Sequence, residues 1–344
     1  MTEPSPGGSL RRVAITALKV LVSAALVALI IWRIGLDRLR ESLSGVNPWW
    51  LGAAAVVFTA SNLLGAVQWA MLLRARGIGL SLRQVVGYYF VGLFLNNFLI
   101  GYVGGDAFRV FDAARASGNT AGAVSSVLFD RLVGFATLTS VAVVAAVAWH
   151  HYSGHATSLT IAGGVLILWV LVLLFFFSRR FARPIVYVFN RVLPLGLKNR
   201  AKQVYDQVNE YRHQRALLGQ VLALSLVVQL LRIGVHYLTA LALGVRVSFA
   251  FFLVFVPIIA FLASLPISVG GIGVREQSGV LLFTRVGVPE AAAVAMQFLA
   301  YLVGVIATVP GGVILSLRRE QSRAAAQAGR WRPSAAAPST EERR

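Results

Sequence analysis

Long runs of apolar residues recur along the chain, and charged or glycine-rich segments separate them. Six runs come close to the roughly 20 residues that an α-helix needs to cross a bilayer. These runs cover residues 13–32, 49–73, 121–149, 160–177, 217–243 and 291–317. Two shorter runs, residues 85–100 and 249–265, end beside glycine or proline. The pattern predicts an all-α polytopic membrane protein, with a transmembrane domain over residues 13–317.

The composition favours a membrane protein over a soluble one. Of the 344 residues, 57% are hydrophobic and 13% are charged, whereas soluble domains carry about 25% charged residues. The net charge of +19 would suggest a nucleic-acid partner for a soluble chain. Basic cytoplasmic loops explain such an excess in a membrane protein, so we expect no nucleic-acid partner. Because the chain has no cysteine, disulfides, thiolate metal sites and thiol nucleophiles are excluded.

The distribution of Lys and Arg predicts which segments face the cytoplasm. The basic segments are residues 1–12, 179–215 and 318–344, whereas the loop with His150, His151 and His155 has neither Lys nor Arg. We therefore expect both termini in the cytoplasm and the histidine loop outside, in a bacterial inner (plasma) membrane. The histidines are expected to form a solvated turn rather than a metal site.

Two of the basic segments have their own predicted structure. Residues 179–215 contain nine Lys/Arg, and apolar residues recur within them at steps of three and four from Leu197 to Tyr211. This spacing predicts an amphipathic, interfacial helix. The Ala, Arg, Pro and Ser composition of residues 318–344 predicts a disordered tail.

The predicted orientation restricts how the two short runs enter the membrane. If the N-terminus is inside, the second span returns to the cytoplasm at Arg74 and Arg76. The run 121–149 must also start there to end at the histidine loop. Residues 85–115 therefore make no net crossing, and the same argument applies to residues 249–285. We predict six full spans and two re-entrant helical hairpins, one entering from each face.

An internal repeat supports this topology. The motif GGxxxR occurs at residues 104–109 and again at residues 270–275. Matching glycine, alanine and leucine positions follow both copies, within residues 118–134 and 287–304. Since the two hairpins enter from opposite faces, the repeat would be inverted. In transporters, such repeats place the substrate site near the middle of the membrane.

Charged side chains lie close to or within the apolar runs, where an unpaired charge costs from about 3 to more than 10 kcal/mol. Charges of alternating sign follow at steps of three from Asp106 to Arg115 and can pair along a helix. Asp130 and Arg131 point about 100° apart on the next helix and need different partners. We predict a cross-helix ion pair between Arg109 and Asp130.

The second copy of the motif suggests a phosphate site. Three glycines at residues 270, 271 and 273 precede Arg275 and Glu276, so backbone N–H groups can face an anion beside an arginine. Our hypothesis is that Arg109 and Arg275 contact a lipid phosphate from opposite sides of a central cavity. Asp106, Asp130 and Glu276 would orient them. The alternative is a set of structural ion pairs at helix ends.

Other polar residues lie inside the spans. Arg232 and His236 are one helical turn apart and face one side together, either towards the cavity or in structural pairs. Interhelical hydrogen bonds are the expected role of Asn62, Gln68, Asn96 and Asn97. The chain has no GxxxxGKS/T, HExxH or triad pattern, so neither ATP hydrolysis nor zinc or serine hydrolysis is supported. We expect no cofactor, no metal and no catalytic residue.

One run, Asn96–Gly134, contains GGDAFR and Asp130-Arg131, and a second run, Pro266–Glu276, has the sequence PISVGGIGVRE. Both runs resemble the lysylphosphatidylglycerol synthase transmembrane, or flippase-like, family. The resemblance implies lipid translocation. One member is the membrane half of the multiple peptide resistance factor, which moves aminoacylated phosphatidylglycerol between leaflets. The family's polar positions fall on Gly104, Gly105, Asp106, Arg109, Asp130, Arg131, Gly270, Gly271, Arg275 and Glu276.

Two departures from the family qualify what the resemblance implies. Ile100 stands where the family often has proline before the first glycine pair, so we expect the first hairpin to break differently. The aminoacyl-transferase domain of the two-part members has no counterpart after residue 317, so lysyl transfer is not implied.

The sequence therefore favours a translocase of a phospholipid or polyprenyl-phosphate lipid. One alternative is a membrane scaffold or accessory subunit for a separate glycosyl- or aminoacyl-transferase. Another is an intramembrane transferase with Asp106 or Asp130 as base, although no donor-binding motif is present.

Overall fold

The computed structural model describes residues 43–97, 103–153, 195–264, 268 and 271–330. All regular elements in these residues are helical. Two 3₁₀ turns, Tyr211–His213 and Thr284–Val286, accompany the α-helices. The α-helices are α1 (Pro48–Ala75), α2 (Leu82–Asn96), α3 (Val103–Ser117), α4 (Thr120–Ser153), α5 (Leu195–Glu210), α6 (Arg215–Ala242), α7 (Phe249–Ser264), α8 (Val274–Phe283) and α9 (Glu290–Arg330).

Four of the described helices are long and apolar enough to cross a membrane. They are α1, α6, residues 120–148 of α4 and residues 290–318 of α9. These helices coincide with four of the six predicted spans and support a multi-pass membrane protein. The predicted spans at residues 13–32 and 160–177 lie outside the described residues. The two short apolar runs form α2 and α7, which are 15 and 16 residues long.

Local sequence signals explain where several helices begin and end. Pro48 occupies the first turn of α1, and the Asn47 side chain accepts a hydrogen bond from the Trp49 N–H at 3.0 Å. Ser81 and Gln84 form a reciprocal capping box at the start of α2. Gly118 follows α3 with a φ of +72°, a left-handed conformation that glycine adopts without steric cost.

The described helices form two halves with the same order of lengths. In each half, two short helices lie between two long ones: α1 to α4 in the first half and α6 to α9 in the second. The packing is reciprocal, because α2 of the first half packs on α9, and α7 of the second half packs on α4. The first long helices, α1 and α6, share the most extensive contact. The internal repeat thus has a counterpart in the packing.

Glycines allow close approach between α2 and its neighbours. A Cβ atom on Gly105 of α3 would overlap the carbonyl oxygen of Gly92 in α2. On the other side of α2, a Cβ atom on Gly311 of α9 would overlap the backbone of Phe90. Helix pairs in membranes gain van der Waals contact from small residues at such crossings. The short helix α2 is therefore held tightly on both sides.

The basic segment contains the predicted amphipathic helix as α5, over residues 195–210; residues 179–194 lie outside the described residues. Tyr211 anchors the end of α5: its hydroxyl donates to the Leu72 carbonyl at 2.9 Å, and its ring stacks on Phe129. Burial of this side chain raises the pKa of Tyr211 above its usual value. Arg76 lies over the same ring and forms a 2.6 Å ion pair with Glu210.

One segment differs from the sequence expectation. Of the predicted disordered tail, residues 318–330 continue α9 as helix, and residues 331–344 lie outside the described residues. Alanine and arginine are strong helix formers, and the preceding span supplies the nucleated end from which the helix extends.

Candidate functional site

A cavity of about 270 Å³ lies between the two halves. Its walls come from α1, α2, α4, α6, α7, α8 and α9. The apolar part of the wall includes Phe58, Leu93, Phe135, Leu138, Val256 and Ile259. The charged or ionisable side chains in the wall are Tyr89, Asp130, Arg131, Arg232, His236, Arg275 and Tyr301. The wall therefore combines apolar surface with converging polar groups, as is typical of small-molecule sites.

A buried network of charges joins α3 to α4 beside this cavity. Arg109 Nη2 donates to Asp130 Oδ2 at 2.9 Å, which confirms the predicted cross-helix ion pair. Arg109 also contacts Asp106 at 3.3 Å, and Asp106 accepts two hydrogen bonds from Arg131, at 2.6 and 2.8 Å. Two carboxylates and two guanidinium groups thus alternate in one chain. Their charges offset each other, which makes burial in the membrane tolerable.

Within this network, Arg109 lies behind the cavity wall rather than in it. Its guanidinium lies 4.3 Å from the ring centroid of Trp69 and 4.5 Å from that of Tyr89, and only 4% of its side chain is exposed. The aromatic faces and Asp130 together fix the cation in place. Arg131, which is 32% exposed, is the arginine of the first half that lines the cavity.

In the second half, Arg275 lines the cavity directly from the start of α8. Its guanidinium lies 5.1 Å from the ring centroid of Tyr301. Gly271 and Gly273 precede it with φ of +77° and +84°, which are left-handed conformations that glycine tolerates. Gly270 of the predicted site lies outside the described residues.

The Glu276 side chain caps the N-terminus of its own helix, α8. Its Oε2 accepts a hydrogen bond from the Gly273 N–H at 2.6 Å, and the residue is 6% exposed. The sequence suggested that the N–H groups of these glycines face a ligand; the N–H of Gly273 instead serves this intrahelical cap. Glu276 is therefore placed to hold the turn that presents Arg275.

The glycines of the first motif serve packing. Gly104 and Gly105 lie in the first turn of α3, and the Gly105 N–H donates to Asn96 Oδ1 at 2.8 Å. Neither glycine lines the cavity. The absence of a Cβ on Gly105 lets α3 approach α2, which brings Arg109 close to the rings described above.

The polar residues inside the spans hold the cavity wall together. Gln68 Nε2 donates to Asp130 Oδ1 at 2.9 Å, and Asn97 Nδ2 donates to Thr308 Oγ1 at 2.8 Å. Arg232 Nη2 donates to Asn62 Oδ1 at 3.4 Å. The predicted interhelical hydrogen bonds of the Asn and Gln side chains are confirmed at these positions.

One feature of α6 was predicted only in part. Arg232 and His236 both line the cavity, which confirms that they face one side. Ser225 and Gln229 lie on the same face and line it too, and the Gln229 Nε2 donates to the Gly134 carbonyl at 3.0 Å. The signal was present in the sequence, because the four polar residues recur at steps of four, three and four within an apolar run.

The electrostatic balance of the wall favours an anion. Among the residues that the structure describes, three arginines line the cavity: Arg131, Arg232 and Arg275. The lining carboxylate, Asp130, already accepts from Arg109 and Gln68. Among the described residues, no group of three or more His, Asp or Glu side chains is arranged to hold a metal ion.

These features define a multi-pass helical membrane protein with a cationic cavity enclosed between two similar halves. The chain belongs to the lysylphosphatidylglycerol synthase TM region family, whose profile matches residues 16–312. This match confirms the resemblance found in the motifs. The chain is also similar to the UPF0104 membrane protein PH1989 of Pyrococcus horikoshii, at 24% identity over 327 residues. The matched region covers 88% of this chain and 97% of that relative.

Proposed function

We propose that the protein is a lipid translocase that moves an anionic, phosphate-bearing lipid between the leaflets of the plasma membrane. The observation that carries this proposal is the central cavity, where three arginines face a largely apolar wall. A phospholipid or polyprenyl-phosphate lipid has the same two parts, an anionic headgroup and a long apolar tail.

Arginine suits the proposed headgroup. Its planar guanidinium can donate two parallel hydrogen bonds to phosphate oxygens, and it stays charged when desolvated. Asp106 holds the Arg131 guanidinium through two hydrogen bonds, and the ring of Tyr301 lies beside the Arg275 guanidinium. Both cations are held in place before a ligand arrives, which lowers the ordering cost of binding.

The two halves supply a route for alternating access. In this proposal, α2 with α3 and α7 with α8 are re-entrant hairpins that enter from the cytoplasmic and the outer face, and both termini are cytoplasmic. Rocking one half against the other would then expose the cavity to each leaflet in turn.

An ion pair joins the two halves at the end of the membrane-spanning part of α9. Arg318 Nη1 of α9 contacts Asp112 Oδ2 of α3 at 2.8 Å, and its guanidinium lies 4.7 Å from the ring centroid of Tyr88 in α2. In the proposed orientation this end faces the cytoplasm.

The test uses the purified full chain in proteoliposomes that contain fluorescent phosphatidylglycerol. Quenching of the outer leaflet measures how fast the labelled lipid exchanges between leaflets. We expect wild-type exchange well above that of empty liposomes, and exchange close to background for Arg275→Gln. The matched control is Arg285→Gln, which changes an exposed arginine of the same half, outside the cavity lining.

Three results would contradict the proposal. A wild-type rate of lipid exchange in Arg275→Gln would show that the cavity does not bind the transported lipid. Activity that requires a co-purifying transferase would favour an accessory subunit. Turnover of a lipid donor by the chain alone would favour an intramembrane transferase.

A further inference from the structure

Two amide atoms in the cavity wall have no hydrogen-bond partner although their side chains are buried. They are the Nδ2 of Asn62, on a residue with 0% exposure, and the Oε1 of Gln68, on a residue with 4% exposure. Both residues lie on α1, six positions apart, which is about 9 Å along a helix axis. Buried polar atoms in proteins are nearly always paired with protein, water or ligand, so two on one wall of a cavity are available to hydrogen-bond a ligand that enters it.

The hydrogen-bond partners of Asn62 and Gln68 determine which atom of each side-chain amide stays unpaired. The bonded partner of Gln68 is the carboxylate of Asp130, which can only accept, so Gln68 must turn its NH₂ towards Asp130. The bonded partner of Asn62 is the guanidinium of Arg232, which can only donate, so Asn62 must turn its carbonyl oxygen towards Arg232. The unpaired atoms are therefore a donor on Asn62 and an acceptor on Gln68.

A ligand that satisfies both atoms needs an acceptor and a donor. The donor that meets the Gln68 oxygen is either an ammonium group or a hydroxyl group. Arg131, Arg232 and Arg275 share this cavity and repel an ammonium group, whereas a hydroxyl group carries no charge. A hydroxyl oxygen can also accept from the Asn62 NH₂.

We infer that the cavity selects a phosphate lipid whose headgroup carries neutral hydroxyl groups, and that Asn62 and Gln68 recognise those hydroxyls. The inference rests on the proposed function and names its substrate class. A bare phosphate lacks the donor for Gln68, and an ethanolamine or aminoacyl headgroup brings a cation towards three arginines. A glycerol headgroup and a sugar or cyclitol headgroup share the required chemistry.

The experiment compares four fluorescent lipids in the same proteoliposomes: phosphatidylglycerol, phosphatidylinositol, phosphatidic acid and phosphatidylethanolamine. We expect at least one of the two hydroxyl-bearing lipids to exchange about tenfold faster than the other two classes, the size of effect that one hydrogen bond to a buried group can give. A preference for phosphatidylglycerol would identify a glycerol headgroup. A preference for phosphatidylinositol would identify a sugar-like or cyclitol headgroup.

The variant that tests the recognition is Gln68→Met, which nearly keeps the side-chain volume and removes both the free acceptor and the NH₂ group that donates to Asp130. We expect the preferred lipid to lose its advantage, so that the ratio of its exchange rate to that of phosphatidic acid falls to about one. The control is Gln220→Met, on an exposed position of α6. Because the readout is a ratio between lipids, a general loss of folded protein cannot imitate it. Asn62→Leu gives the same test if Gln68→Met does not fold.

A binding measurement separates this inference from the proposed function. Short-chain forms of the four lipids are added to the detergent-purified chain, and thermal stabilisation is recorded. If no lipid exchanges but the hydroxyl-bearing lipids stabilise the chain most, translocation is wrong and the selectivity stands. Equal rates and equal stabilisation for phosphatidic acid and phosphatidylglycerol would overturn the selectivity and leave translocation intact. Preference for phosphatidylethanolamine would also overturn it.

Discussion

The two copies of the six-residue motif GGxxxR share two glycines and an arginine, and these residues have different roles in the two copies. In the first copy, Gly105 packs α3 against α2, and Arg109 is buried between an ion pair and two aromatic rings. In the second copy, Gly271 adopts a left-handed turn before α8, and Arg275 reaches the cavity. Both copies of the motif keep glycines and an arginine. Arg109 supports the cavity wall from behind, whereas Arg275 forms part of the wall.

The largest effect expected from this difference is on stability. Arg109→Gln removes the partner of Asp130 and leaves a buried carboxylate uncompensated, which costs about 3–5 kcal/mol. Arg275→Gln should cost less, about 1 kcal/mol, because the half-buried Arg275 side chain lines the cavity instead of being enclosed between Asp130 and two aromatic rings. Unfolding of the two variants in detergent, monitored by heat or denaturant, measures the gap. The assignment of roles would be wrong if the two variants lost equal stability.

A double variant tests whether the ion pair itself accounts for the stability that Arg109 contributes. Arg109→Gln with Asp130→Asn replaces the ion pair by two amides and should recover part of the lost stability. A double variant no more stable than Arg109→Gln alone would mean that the aromatic contacts with Trp69 and Tyr89 matter more than the ion pair. The stability of each single variant provides the reference for this cycle.

An intermediate effect is expected from the glycines. Gly105→Ala places a methyl group against the Gly92 carbonyl in α2, a backbone atom that cannot rotate away, and should cost about 1–3 kcal/mol or more. Gly52→Ala, at an exposed helical position with open space around it, is the matched control and should be neutral or slightly stabilising. Thermal unfolding of both variants checks the difference. Equal midpoints would show that α2 and α3 separate at little cost.

The smallest effect should come from Glu276→Gln. The amide oxygen can still accept from the Gly273 N–H, so the stability loss should stay below about 1 kcal/mol. Lipid exchange should remain close to wild type, because Glu276 holds the turn and does not line the cavity. Abolished exchange in a stable Glu276→Gln protein would instead place the carboxylate itself in the substrate path.

Much of the scaffold follows from apolar run length and from the cost of buried charge. The apolar runs predict α1, α4, α6 and the membrane part of α9 because a bilayer requires a minimum helix length. The pairing of Arg109 with Asp130 follows because neither charge tolerates burial alone.

The role of each arginine does not follow in the same way. Whether Arg109 or Arg131 faces the cavity depends on the rotations of α3 and α4, and on the aromatic rings that α1 and α2 contribute from positions 69 and 89. Local spacing carries no information about those distant partners. The contribution of Ser225 and Gln229 could have been found, because the polar spacing along α6 marks one face of the helix.

The exchange of short helices between the halves has a consequence for synthesis. One face of α2 meets its partner only when α9 is made, because the crossing joins Phe90 to Gly311, 221 residues later along the chain. A ribosome that stops before α9 releases a polypeptide in which this face of α2 is open to the bilayer. Quality-control proteases should recognise such truncated products, whereas the completed chain covers that face with α9.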